Sequence, residues 1–120
     1  MSGDPGDTGS VRERLAAERA DTEARIAALS RDFATIVEAN ALVAVDDEHD
    51  PDGSSTAFER AHVASLLAQA RDHLTALDAA LDRLADGTYG RCARCHTPIP
   101  AARLEARPAT TTCVHCAALP

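Results

Sequence analysis

The chain has 120 residues, of which 45% are hydrophobic and only 2% aromatic, with a formal net charge of -7. Its apolar residues are mostly Ala, Leu and Val, which suits long helices packed along narrow seams and excludes a thick, aromatic-rich core. The acidic balance argues against direct DNA binding through clustered positive charge. No apolar run approaches the roughly 20 residues that span a bilayer, and the opening MSGDPGDTGS lacks the apolar core of a signal peptide, so the expectation is a soluble, cytoplasmic protein without a membrane partner.

Residues 1–9, rich in Gly, Asp and Ser, are expected to form a disordered tail. Ser10 and Glu13 then make an S-x-x-E capping box, the pattern that satisfies the unpaired N–H groups of a first helical turn. From there Leu15, Arg19, Thr22, Ile26, Leu29, Phe33, Ile36, Asn40 and Val43 recur at alternating spacings of four and three, a stripe on one face of a helix. The run Asp50-Pro51-Asp52-Gly53-Ser54-Ser55 reads as a turn. A second capping box, Thr56 with Glu59, opens a second helix with the stripe Val63, Leu67, Ala70, Leu74, Leu77, Leu81 and Leu84, and Gly87 is its stop.

Neither stripe can be buried by its own helix, and a short turn joins the two, so residues 10–87 are predicted to form an antiparallel coiled-coil hairpin. Helices of thirty-odd residues, rising about 1.5 Å per residue, would make a rod on the order of 45–55 Å long. Its acidic tip falls near 46–55, where Asp46, Asp47, Asp50 and Asp52 cluster with Glu48. Acidic residues are ordinary in exposed turns, and the D-x-D-x-D-G order of a calcium loop is absent.

Residues 88–120 differ in character. All four cysteines lie here, and Arg91, Arg94, Arg103 and Arg107 against Glu105 give this segment a net charge of +3, leaving -10 for residues 1–87. Cys92-Ala93-Arg94-Cys95 and Cys113-Val114-His115-Cys116 form a C-x2-C, x17, C-x2-C arrangement. Two residues between cysteines let one tight turn aim both sulfurs at a point, and two such knuckles complete the tetrahedral shell of one structural Zn2+. A closed shell leaves no position for a reactive water, and no catalytic arrangement or phosphate loop accompanies it, so no enzyme is expected. His96 and His115 adjoin ligand cysteines and are read as outer or exposed residues. Between the knuckles Pro100 can start a short helix through Arg103-Leu104-Glu105-Ala106 that Pro108 ends, with Ile99 and Leu104 packing on the zinc turns and Tyr89 at the hinge. The arginines form a candidate basic surface for phosphate or for protein docking.

Asp86-Gly87-Thr88-Tyr89-Gly90-Arg91-Cys92-Ala93-Arg94-Cys95, Ile99, Arg103-Leu104-Glu105-Ala106-Arg107-Pro108 and Cys113-Val114-His115-Cys116 resemble the C4 zinc finger of the DksA/TraR family. The resemblance is close over residues 86–116, while the hairpin is similar in architecture more than in letters. It implies a bacterial transcription regulator that binds RNA polymerase directly, inserts its coiled-coil tip through the secondary channel toward the catalytic magnesium, and in many members acts with the alarmone ppGpp. The sequence departs from the family in two places. Where well-studied members carry D-P-x-D-x-A, only Asp50 and Pro51 match in place, and His96 stands where a glycine commonly follows the second cysteine. Two other classes remain open on the residues themselves: a nucleic-acid-binding finger using the four arginines, and a protein–protein adaptor.

Overall fold

Two long helices dominate the computed structural model, which describes residues 5–46 and 51–120. Helix α1 runs Pro5–Asp46 and α2 runs Pro51–Asp86, in a hairpin-like arrangement; the short helices α3 (Ala101–Ala106) and α4 (Val114–Ala117) follow. Among the described residues there is no β-strand beyond one isolated antiparallel bridge, Arg91 with Pro98. None of these helices is long and apolar enough to cross a membrane.

The alternating stripes are the seam. Of the first, Leu15 and Thr22 are buried and Arg19, Ile26, Leu29, Phe33, Ile36 and Asn40 are half-buried; the Val43 side chain lies outside the described ones. Of the second, Leu67, Ala70 and Leu77 are buried and Val63, Leu74, Leu81 and Leu84 half-buried.

Both helices begin earlier than their capping boxes predict. α1 starts at Pro5, five residues before Ser10, so the expected tail over 1–9 is helical from Pro5, while residues 1–4 lie outside the described residues. α2 starts at Pro51, five residues before Thr56, so Pro51–Ser55 extend a helix where a turn was expected. The physical reason is shared: Ser10 with Glu13 and Thr56 with Glu59 are spaced as i, i+3 neighbours, which a continuing helix accommodates as readily as a first turn does.

The chain divides into two compact units. In the first, residues 1–20 with 74–120, the start of α1 packs on the end of α2 around fully buried Leu15, Leu77 and Ala80, and Val11, Leu81, Leu84, Tyr89 and Ala109 close over them. Arg19, at a stripe position, pairs through Nε with Asp78 Oδ1, and its Nη2 lies 3.4 Å from Asp78 Oδ2. This pair flanks the apolar seam, where it favours the one register in which both partners meet. The second unit, residues 21–73, holds buried Thr22, Leu67 and Ala70.

The end of α2 is closed as Gly87 suggests. Gly87 has φ +85°, the left-handed conformation, and Thr88 and Tyr89 donate their N–H groups to the Arg83 carbonyl at 2.9 and 3.1 Å. The bond from Thr88 is the six-to-one closure of a Schellman motif. Asp86 Oδ1 accepts from both the backbone N–H and the hydroxyl of Thr88, at 3.0 and 2.6 Å, fixing the direction in which the chain leaves the helix.

Candidate metal centre

The first knuckle is a short hairpin loop. Cys92 N–H donates to the Thr97 carbonyl at 2.8 Å and Ile99 N–H to the Gly90 carbonyl at 2.7 Å, which brings the two ends of segment 90–99 together. Gly90 turns with φ +84°, and a Cβ there would sit 3.5 Å from Leu104 Cδ1. Inside the loop Cys95 N–H points at Cys92 Sγ, 3.5 Å away, and His96 N–H donates to the Cys92 carbonyl at 2.9 Å. His96 itself has φ +66°, so the position that commonly holds glycine keeps its left-handed backbone with a side chain attached.

The second knuckle repeats the N–H to sulfur contact. Cys113 is the N-cap of α4, and its Sγ accepts from Cys116 N–H at 3.4 Å. Helix α4 has no counterpart among the expected elements; its one signal in the sequence is a cysteine in the capping position, where Ser, Thr, Asp or Asn usually stands. Helix α3 begins after Pro100 and ends at Ala106; its C-cap Arg107, with φ -136° and ψ 79°, has left the helical region, which a residue preceding proline disfavours. A direct bond joins the knuckles: Ala93 N–H donates to the Thr111 carbonyl at 2.8 Å.

These turns bring the sulfurs of Cys92, Cys95, Cys113 and Cys116 within 4.8 Å of one another. Zinc–sulfur bonds of about 2.3 Å in a tetrahedron place sulfurs about 3.8 Å apart, and Cys95 Sγ and Cys113 Sγ are 3.7 Å apart. The donor set therefore fits the metal: four clustered thiols, one pair of them a tetrahedral edge apart, positioned to bind one zinc ion. When bound, zinc supplies four thiolate bonds and a closed shell.

The thiols are not equivalent. Backbone N–H donation, first from Cys95, holds the Cys92 thiol down at about 5. The Thr97 hydroxyl, 2.9 Å from Cys95 Sγ, lowers that thiol. Burial raises Cys116 to about 12, so its thiolate depends on a positive charge at the centre.

Around the sulfurs the apolar contribution is small. Cys92, Ile99 and Cys116 are buried, and beside Cys113 only Leu104 packs against them. Ile99 and Leu104 thus occupy the places their spacing suggests, and Tyr89 sits at the hinge, its ring on the Leu15–Leu77 cluster and its hydroxyl donating to the Pro108 carbonyl at 2.7 Å. Burial raises the Tyr89 pKa. His96 and His115 are exposed.

The four arginines diverge. Arg94 and Arg107 are exposed; Arg91 is exposed with Nη1 donating to the His96 carbonyl at 2.9 Å; Arg103 is half-buried and donates from Nε to the Thr112 carbonyl at 2.9 Å. Of the acidic residues singled out in the sequence, Asp47 and Asp50 lie outside the described residues, and Asp46 and Asp52 are described only as backbone, at the end of α1 and the start of α2.

Comparison with known proteins agrees with this geometry. Residues 87–119 match the family model of the prokaryotic dksA/traR C4-type zinc finger. The chain is similar to the solved structure of transcription factor DksA2 from Pseudomonas aeruginosa, with 27% identity, a TM-score of 0.77, and coverage of 95% of this chain and 82% of the other. No curated protein sequence matches.

Proposed function

We propose that the protein, whose residues 87–119 match the dksA/traR C4-type zinc finger and whose fold is similar to that of DksA2, is a non-enzymatic transcription regulator that binds RNA polymerase directly. The observation that carries the reading is the pairing of the two likenesses: the family finger, and a similarity to a transcription factor that extends over 95% of this chain, well beyond the finger. In this reading the segment joining α1 and α2 enters the secondary channel and brings Asp46, Asp47, Asp50 and Asp52 near the catalytic magnesium. Carboxylates there would compete for the metal or for neighbouring basic groups, and so alter the lifetime of promoter complexes. The alarmone ppGpp is a candidate co-regulator.

The zinc finger supplies a rigid base for the end of α2 and is not the chemically active part. A nucleic-acid-binding role for the arginines is less favoured, because Arg91 and Arg103 already donate to carbonyls of the finger. The deciding experiment is co-purification of the full chain with core RNA polymerase at low salt, repeated with Asp46, Asp47, Asp50 and Asp52 changed to lysine. The proposal expects binding by the natural chain and an altered effect on open-complex lifetime in the lysine variant. Absence of polymerase binding, or salt-dependent DNA binding lost on changing Arg94 and Arg107 to alanine, would overturn it.

A further inference from the structure

Segment 108–112 carries the chain from the end of α3 into the second knuckle, and side chains from three different places grip it. Tyr89 donates to the Pro108 carbonyl at 2.7 Å. Arg83, on α2, reaches the Thr110 carbonyl with a long contact of 3.5 Å. Arg103, on α3, makes the closest engagement with the cysteine itself: its Nε donates at 2.9 Å to the carbonyl of Thr112, the residue before Cys113, and its Nη2 lies 3.4 Å from Thr110 Oγ1. The Thr110 hydroxyl in turn donates to the same Thr112 carbonyl at 3.2 Å. Two donors therefore converge on the peptide unit that sets the direction of the Cys113 Cα–Cβ bond.

Resting on the reading of the four cysteines as a zinc site, we infer that Arg103 is a positioning residue for Cys113, holding the second knuckle in its metal-binding geometry from outside the ligand shell. A guanidinium suits the task because its planar fork offers donors from Nε and Nη2 in fixed relation, so one side chain fixes both Thr112 and Thr110. Lysine, a single ammonium on a flexible stem, can replace one of these contacts and cannot reproduce the fork. The half-buried setting of Arg103 keeps these bonds from being exchanged freely with water. The contribution is thus geometric. It acts by narrowing the range of positions that Cys113 Sγ samples, and its loss should appear in how firmly the metal is held.

The test compares the full-length natural chain with R103Q and R103K, using cobalt(II) and zinc as probes. Cobalt reports ligand geometry through its visible absorption, and zinc release is timed with an excess of a coloured chelator. The natural chain should bind one cobalt with a four-thiolate spectrum; failure here would count against the zinc reading itself. R103Q should release zinc about tenfold to a hundredfold faster, in line with the loss of groups that orient metal ligands. Its cobalt bands should also shift or weaken. R103K should fall between the two. Should R103Q lose the finger, R103K together with Thr110→Val carries the comparison, each releasing zinc faster with perturbed bands. Release within twofold of the natural chain, or faster release with unaltered cobalt bands, would overturn the inference.

Discussion

Zinc removal should unfold the finger and leave the long helices standing, and the chain carries its own reporter for the event. Beside the ligands, the finger's apolar cluster contains only Ile99 and Leu104, and burying one such side chain fully contributes about 1.5–3 kcal/mol. Structural zinc contributes about 10–16 kcal/mol near neutral pH, so the metal outweighs the apolar packing of this module severalfold. Once it is removed, Cys116, whose thiol is pushed up to about 12, returns to the protonated form, and the second knuckle is left to the small apolar cluster, the bond from Ala93 to Thr111 and the side-chain grips on segment 108–112. Tyr89 is the sole tyrosine and the chain has no tryptophan, so intrinsic fluorescence reads one ring, whose hydroxyl is bonded to Pro108 across the hinge. Far-ultraviolet circular dichroism reads the other part of the molecule: α1 and α2 contain 42 and 36 residues, α3 and α4 only 6 and 4. Titrating a chelator should change the Tyr89 emission in step with zinc loss while most of the helical signal persists, and Cys113→Ser should resemble the chelated protein from the start. Helicity collapsing together with the metal, or Tyr89 emission indifferent to it, would refute this division of stability.

Other substitutions separate the seam from the surface. Leu77→Ala, at a fully buried position of the Leu15 cluster, should cost about 2–5 kcal/mol in urea unfolding. Phe58→Ala, at a side chain 78% exposed, should stay within about 0.5 kcal/mol. His96→Gly relieves a left-handed residue at φ +66°; the left-handed penalty of about 1–2 kcal/mol is partly offset by the entropy glycine loses on folding. Tighter zinc retention is therefore expected, and a looser hold would show that the His96 side chain contributes something the backbone does not. The Asp78 and Asp86 carboxyls, lowered first by hydrogen bonds from Arg19 and from Thr88 respectively, should titrate below the usual value of 3.8 in carbon-detected NMR. Their depressed folded pKa means that the stabilisation is present above the unfolded pKa and is lost as pH falls through the folded one. Arg19→Gln should return Asp78 alone to the ordinary range.

Much of this architecture is written plainly in residue spacing. Every stripe position whose side chain is described proved buried or half-buried, because a four-three alternation has only one face to bury it on. The zinc site was equally legible, since C-x2-C pairs encode their own turns. Helix beginnings were not. Ser10 with Glu13 and Thr56 with Glu59 have the spacing of a capping box, but residues three apart are also ordinary neighbours along the face of a continuing helix. Among the described residues the helices run on ahead of both patterns, from Pro5 and from Pro51.

The arginines illustrate a deeper limit. Summing charge over residues 88–120 treats Arg91, Arg94, Arg103 and Arg107 as four equal contributions to one surface. The fold distinguishes them by what their N–H groups meet. Arg91, Arg94 and Arg107 are exposed and Arg103 half-buried, but the guanidinium of Arg91 donates to the carbonyl of His96 and that of Arg103 to the carbonyl of Thr112, one beside each cysteine pair. A small module with little apolar mass must fix its loops by polar contacts, and arginine offers five donors on one side chain. Composition records the charge; only the path of the backbone reveals the donors, because the carbonyls they reach belong to peptide units whose orientation no residue type specifies. It follows that charge-neutral replacements of these arginines should divide by geometry: those at Arg91 and Arg103 should loosen the metal, those at Arg94 and Arg107 should alter surface potential and leave it held.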